Sequence, residues 1–244
     1  MLYIIQALAD YPRLAFLGVL AYLIAIFFAI VLHEMAHGWV AYLNGDYTAK
    51  MRGRLSLNPL KHIDPIGFLM MLLVGFGWAK PVPIDPRNFR EYKKGMITVS
   101  LAGVICNFIV AFLATAVYAI LIACTKNVDL AIYVGQEISA GQYAYFFFSY
   151  LFQYSIIFNL TLMAFNLLPI YPLDGFRLFE TLRPSSKYVD FMYRYGNYAL
   201  LILLIGSSVL GRISPYLDIF GMYIGLVRNV VGKLFGLIFG INIM

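Results

Sequence analysis

The stretch Leu14 to His37 reads LAFLGVLAYLIAIFFAIVLHEMAH, and two signals meet in it at His33. Leu14 to Leu32 is an uncharged, mostly apolar run, and about twenty such residues in a helix cross the hydrocarbon core of a bilayer. The run leads without a linker into His33-Glu34-Met35-Ala36-His37, an HExxH motif. Ionisable side chains at membrane depth are costly and need a chemical reason.

Helix geometry supplies that reason. Residues four apart lie about 400° apart around the axis, so His33 and His37 project from one side, a turn apart, and can share a metal ion. Glu34 is rotated about 100° from His33, which sets a carboxylate beside such an ion without making it a ligand. Two imidazoles plus an adjacent general base are the donor set of a zinc hydrolase. A plain pair of core histidines would leave Glu34 unexplained.

Composition extends the membrane reading to the whole chain. Of 244 residues, 62% are hydrophobic and 12% charged, and the mean hydropathy is +0.80; soluble domains run nearer one half and one quarter. The pattern predicts an all-α polytopic membrane protein. Besides Leu14 to Leu32, Met96 to Cys124 and Ile138 to Leu173 lack charge, and Tyr195 to Gly211 is a shorter candidate. From Pro215 onwards the tail is apolar but interrupted by Asp218, Arg228 and Lys233, which suits a span with snorkelling ends or an interfacial helix. The expectation is 4–5 transmembrane helices. Pro65 to Ala79 is too short and Gly-rich for a span and reads as a re-entrant or edge segment packed against protein. The chain is expected to form one membrane-embedded unit over 1–244, its motif-bearing core about 14–175 and its C-terminal helices 190–244. The first run lacks a small-residue cleavage site, so it is expected to be retained rather than removed as a signal peptide. Cys106 and Cys124 fall about 27 Å apart on one predicted helix, too far for a disulfide, and read as core residues.

Charge placement orients these spans. Nine basic residues (Lys50, Arg52, Arg54, Lys61, Lys80, Arg87, Arg90, Lys93, Lys94) against three acidic ones lie between Lys50 and Lys94. Arg177, Arg183, Lys187 and Arg194 follow two crossings later, on the same side. Positive segments stay in the cytoplasm, so both groups are expected there, with the amino terminus outside. These charges border spans and carry no recognition motif, so no nucleic-acid partner is expected.

A metal held by two histidines and a water needs a third protein ligand. Charged groups at membrane depth are few, and Asp174 stands out in Asn166-Leu167-Leu168-Pro169-Ile170-Tyr171-Pro172-Leu173-Asp174-Gly175, at the cytoplasmic end of an uncharged run. Pro169 and Pro172 break a helix there and turn a side chain into a polar cavity. Asp174 is the predicted third ligand, giving one Zn2+ per chain.

HExxH at His33 to His37 followed by Asn166-x-x-Pro169-x-x-Pro172-Leu173-Asp174-Gly175 resembles the site-2 protease family of intramembrane zinc metalloproteases. Gly45-Asp46-Tyr47-Thr48-Ala49-Lys50, Gly53 to Pro59 with His62 and Asp64-Pro65, and Gly77-Trp78-Ala79-Lys80-Pro81-Val82-Pro83 fit the same family. The resemblance is to its compact branch, since no stretch is long and polar enough for a PDZ or other regulatory domain. It implies hydrolysis of peptide bonds in or near transmembrane helices of membrane-tethered proteins, with Glu34 as the base. Ala102-Gly103-Val104-Ile105-Cys106-Asn107 departs from the family's Ala-Gly-Pro-x-x-Asn by losing a proline, while Asn107 remains as a polar partner in the core.

Three further expectations stay open at this level. Asn166 could bind substrate backbone or cap the broken helix end. His62, on a turn-rich loop, could orient substrate, stabilise an oxyanion, or serve only the loop. Gly53 to Leu57 could pair with extended substrate as an edge strand. The expected partners are a transmembrane protein substrate and the lipid bilayer, with an oligomer compatible, and the compact form suits a prokaryotic plasma membrane with the site towards the cytoplasm. Two rival classes, a membrane zinc transporter and a non-catalytic helix-binding scaffold, fit less well: there is no repeated or inverted motif, and base and ligands are all present.

Overall fold

The computed structural model describes residues 12–67, 80–125 and 138–242. Its principal helices are α1 (Pro12–Leu43), α2 (Tyr92–Cys124), α3 (Ala140–Asn166), α4 (Asp174–Leu182), α5 (Lys187–Ile213) and α6 (Ile219–Phe239). All but α4 are long and apolar enough to cross a membrane, five in total among the described residues. The chain is therefore an all-α polytopic protein at the upper end of the expected count, and the tail forms a fifth helix of spanning length. The re-entrant or edge segment expected over Pro65 to Ala79 lies largely on 68–79, outside the described residues.

Helices suit these sequences because a bilayer offers the backbone no water, and a helix satisfies its own N–H and C=O groups. Their ends follow local chemistry. At the start of α3, Ser139 and Gln142 form a reciprocal capping box. At the start of α6, Asp218 accepts from the Gly221 N–H at 2.8 Å, and Gly240 closes the helix at φ 68°. α3 stops at Asn166 rather than running to Leu173, because Pro169 and Pro172 cannot donate and disfavour helix in the residue before them.

Two four-residue rhythms build the core. On α1, Ala21, Ala25, Ala29, His33, His37 and Ala41 are all buried. On α2, Gly95, Val99, Gly103, Asn107, Ala111 and Thr115 are buried in the same rhythm. Lipid tails are as apolar as side chains, so close packing of small residues, rather than hydrophobic exclusion, brings such helices together. α3 completes the trio: its Ile156, Leu160 and Met163 meet Val104, Ala111 and Ala114 of α2, and Phe235 of α6 seals the cluster. Large apolar side chains such as Phe16, Ile120, Ile202 and Leu237 face outward, as a bilayer-facing surface requires. Cys106 approaches the Leu32 carbonyl, but Cys124 is exposed at the end of α2 rather than in the core, and both thiols are free.

The connection from α1 to α2 is fastened by Asp46, which is fully buried. Its carboxylate accepts from Thr48 N (3.0 Å), Thr48 Oγ1 (2.5 Å), Asn88 Nδ2 (2.9 Å) and Asp85 N (2.8 Å). Burial works against its charge, yet these donors outweigh burial and hold the carboxyl below its ordinary pKa. The residues from Asp85 to Asn88 are thereby drawn back onto the end of α1.

Candidate metal centre

Where the two rhythms turn polar, the site forms. His33 and His37 are 6% and 7% exposed on α1, and Asp174 opens α4. His33 Nε2 and His37 Nε2 lie 3.0 Å apart, and Asp174 Oδ2 lies 3.2 Å from the first and 3.1 Å from the second. These three atoms form a nearly equilateral triangle. A tetrahedral zinc with bonds of about 2.0–2.1 Å has ligands about 3.3–3.4 Å apart, so the triangle matches one face of that tetrahedron, slightly contracted. Among the described residues Asp174 Oδ2 is buried without a hydrogen-bond donor, and the three groups stand out as a cluster able to hold a metal ion. Two imidazole nitrogens and a carboxylate oxygen are the right donors for zinc, so the residues fit the ion that the motif implies.

The fold fixes each ligand. His37 Nδ1–H donates to the Val99 carbonyl at 2.7 Å, which leaves Nε2 with its lone pair turned into the triangle. Gly103, one turn beyond Val99 on α2, lies directly over the two rings: a Cβ there would sit 2.6 Å from His33 Nδ1 and overlap His33 Cε1 and His37 Nε2. Asp174 is set from both sides. A Cβ at Gly175 would come within 2.6 Å of the Leu168 carbonyl oxygen, so glycine lets the first turn of α4 nest against the end of α3. Phe176 anchors that turn in a cluster with Val189 and Met192 of α5.

Glu34 occupies the neighbouring face of α1, as the 100° rotation requires. Its Oε2 accepts from the Val82 N–H at 2.9 Å. One turn on, Gly38 admits Val82 and Leu55, whose methyls would lie 2.9 and 2.7 Å from any Cβ there. Arg54 Nη2 donates to the Lys80 carbonyl at 2.6 Å, which fixes the segment carrying Val82. A cavity of about 30 Å³, the room of one water, is lined by His37, Asp174, Ser100 and Arg177 and by Ile84 and Pro86 of the preceding connection. Arg177 of the second basic group therefore lies at the same cavity as the connection that carries the first.

The structure brings His33, His37 and Asp174 together, places Glu34 beside them, and sets Asn107 against His33. The other two candidates make local contacts. His62 is 1% exposed, donates from Nε2 to the Ser56 carbonyl at 2.8 Å and fastens its own loop, outside the cluster of potential metal ligands. Asn166 Nδ2 donates to the Leu162 carbonyl one turn back at 3.0 Å. Gly53 to Leu57 forms a turn and bends rather than an edge strand, because Gly53 takes φ 61° and Arg54 N bonds back to the Ala49 carbonyl. Gly103, Gly38, Gly175 and the Val82 N–H were not singled out as contributors by the motifs. The four-residue spacing of Val99, Gly103 and Asn107, and of Glu34 and Gly38, was the available signal.

Fold and site together define a multi-pass membrane protein with an HExxH-based candidate metal centre. Residues 21–205 match the model of peptidase family M50, and the chain belongs to that family, the site-2 proteases. It is 38% identical over 200 residues to "Putative zinc metalloprotease YwhC" of Bacillus subtilis (strain 168), covering 80% of this chain and 86% of the relative. It is also similar to proteins named Rip2, at 27% identity over 207 residues in Mycolicibacterium smegmatis and 28% over 198 in Mycobacterium tuberculosis H37Rv. Those alignments cover 82% and 79% of this chain and 72% and 68% of the relatives. No solved structure is a significant match.

Proposed function

We propose that this chain is an intramembrane zinc metalloprotease that hydrolyses peptide bonds within or near transmembrane helices of membrane-tethered proteins. The observation that carries the reading is the triangle of His33 Nε2, His37 Nε2 and Asp174 Oδ2, with edges of 3.0–3.2 Å, at the heart of helices long enough to span. His33, His37 and Asp174 would hold one zinc ion, which when bound supplies Lewis acidity and lowers the pKa of water towards 7.

The remaining chemistry belongs to the chain. Glu34 takes the proton of the attacking water and returns it to the leaving amine, so one carboxylate serves as base and then acid. The Val82 N–H holds one oxygen of that carboxylate and leaves the other to move the proton. Buried walls around the histidines strengthen every polar interaction during the reaction, and the small cavity beside His37 and Asp174 has room for water. α1 runs ten residues beyond His33 to Leu43, about 15 Å by helical rise, which supports a site no deeper than about the middle of the membrane from the side of the basic connections. By the positive-inside rule that side is cytoplasmic, and a prokaryotic plasma membrane is the setting we assign. A substrate helix conceals its carbonyls in its own hydrogen bonds, so it has to unwind locally, and helix-breaking residues near the cut lower that cost.

The test is Glu34→Gln, expressed beside a library of tagged single-span proteins. The wild type should release soluble fragments from a subset. The variant, containing one zinc by elemental analysis, should release none, since loss of a general base costs about two to four powers of ten in rate. Fragment release by the zinc-loaded variant at the wild-type rate would refute the role of Glu34 and with it the protease reading.

A further inference from the structure

Both histidines of the site face α2 with the nitrogen they do not turn toward Asp174, and α2 answers them at Val99 and Asn107. For His37 the answer is plain: Nδ1–H donates to the Val99 carbonyl at 2.7 Å. For His33 the facing group is the Asn107 amide, with Nδ2 placed 3.2 Å from Nδ1. Asn107 is fully buried, and its Oδ1 has no hydrogen-bond partner among the described residues. A fully buried carbonyl oxygen without a donor has given up its water with nothing in return, so a residue in that condition calls for an account.

His33 itself supplies one. To offer Nε2 to a cation, the neutral imidazole must carry its proton on Nδ1, and Nδ1–H then needs an acceptor. The only Asn107 atom that can accept is Oδ1. A half-turn of the amide about its Cβ–Cγ bond exchanges Oδ1 and Nδ2, bringing the orphaned oxygen onto the His33 Nδ1 proton. One rotation satisfies the buried oxygen and locks the metal-binding tautomer.

We infer that Asn107 is the positioning residue of His33, its amide oxygen accepting the Nδ1 proton and aiming Nε2 at the metal. Val99, Gly103 and Asn107, each four residues from the next, then act as one rail on α2. Val99 orients the first ring through its backbone, Gly103 leaves room for both rings, and Asn107 orients the second through its side chain. The inference rests on the metal reading above and adds to it a tautomer and the residue that sets it. Outer partners of metal-bound histidines typically contribute 10- to 100-fold in metal affinity.

The experiment uses full-length protein in detergent with zinc alone as the ligand, titrated against a competing chelator. Thermal unfolding is measured with and without zinc. Asn107→Ala and Asn107→Leu should each bind zinc 10- to 100-fold more weakly, while their zinc-free forms unfold within a few degrees of the zinc-free wild type. Asn107→Asp, of the same shape and still an acceptor, should bind zinc at least as tightly as the wild type. Unchanged zinc affinity in Asn107→Ala would overturn the inference, as would failure of Asn107→Asp to retain affinity. Equal destabilisation of zinc-free and zinc-loaded forms would also overturn it, by making the residue merely structural. If Asn107→Ala and Asn107→Leu do not fold, Asn107→Asp alone decides the matter. Absence of zinc binding in the wild type would instead refute the metal reading itself, which separates the two failures.

Discussion

Replacing Gly103 by alanine adds one methyl where α2 crosses the histidine pair, and the consequence can be worked out from distances. The new Cβ would lie 2.6 Å from His33 Nδ1 and overlap atoms of both rings, whereas comfortable contact needs about 3.5 Å. The helices must part, or the rings turn, by about 1 Å. Helix ends and flexible side chains absorb such a shift cheaply; neighbours here are imidazoles pinned at 6% and 7% exposure. A zinc site tolerates only about 0.2 Å in its bond lengths, so at least one ligand is lost from productive geometry. We expect Gly103→Ala to weaken zinc binding by at least 100-fold and to cost about 1–3 kcal/mol from overpacking. The assay is chelator competition on purified protein with thermal unfolding alongside. Gly225→Ala is the control: a Cβ there meets nothing within 4 Å among the described residues, and a helical Gly→Ala change is worth up to about 1 kcal/mol of added stability. Wild-type zinc affinity in Gly103→Ala would refute the claim that α2 packs directly over the ligands.

Two other outcomes follow from the connection between α1 and α2. The Asp46 carboxyl is held below its ordinary pKa in the folded chain, so its contribution is fully present above about pH 3.9, the unfolded value, and is lost as pH falls through the lower folded value. Asp46→Asn should therefore unfold earlier than the wild type at neutral pH, by about 1.5–3 kcal/mol, with the gap closing in acid; a pH-independent gap in thermal unfolding would refute the assignment. Single cysteines placed in Asp46 to Gly95 and in Phe176 to Arg194 should escape an impermeant thiol reagent in intact cells, while one near the amino terminus should react. Labelling of either basic segment from outside would invert the topology.

Much of this architecture is written in local pattern, because a bilayer lets apolar length alone decide where helices form. The HExxH spacing likewise needs only helix geometry to put His33 and His37 on one side and Glu34 beside them. Asp174 was legible through scarcity, as a carboxylate at membrane depth beyond two helix-breaking prolines. What local pattern could not convey was which surfaces meet. Glu34 is held by the N–H of Val82, 48 positions away, and His37 by the carbonyl of Val99, 62 away; a backbone donor or acceptor has no sequence signature. Gly53 to Leu57 alternates like a strand, yet the positive φ of Gly53 and the hold of His62 on Ser56 bend it into a loop. Cys124 reads as apolar core but is exposed as the last residue of its helix, an end position that composition does not fix.

The most direct test of the central claim is to map new protein termini in membranes of cells expressing the wild type against cells expressing Glu34→Gln at equal levels. The account predicts termini present only with the wild type, lying inside or at the edge of membrane-spanning helices and towards the cytoplasmic side. Identical termini in both strains, or Glu34-dependent termini confined to soluble domains far from any span, would contradict it.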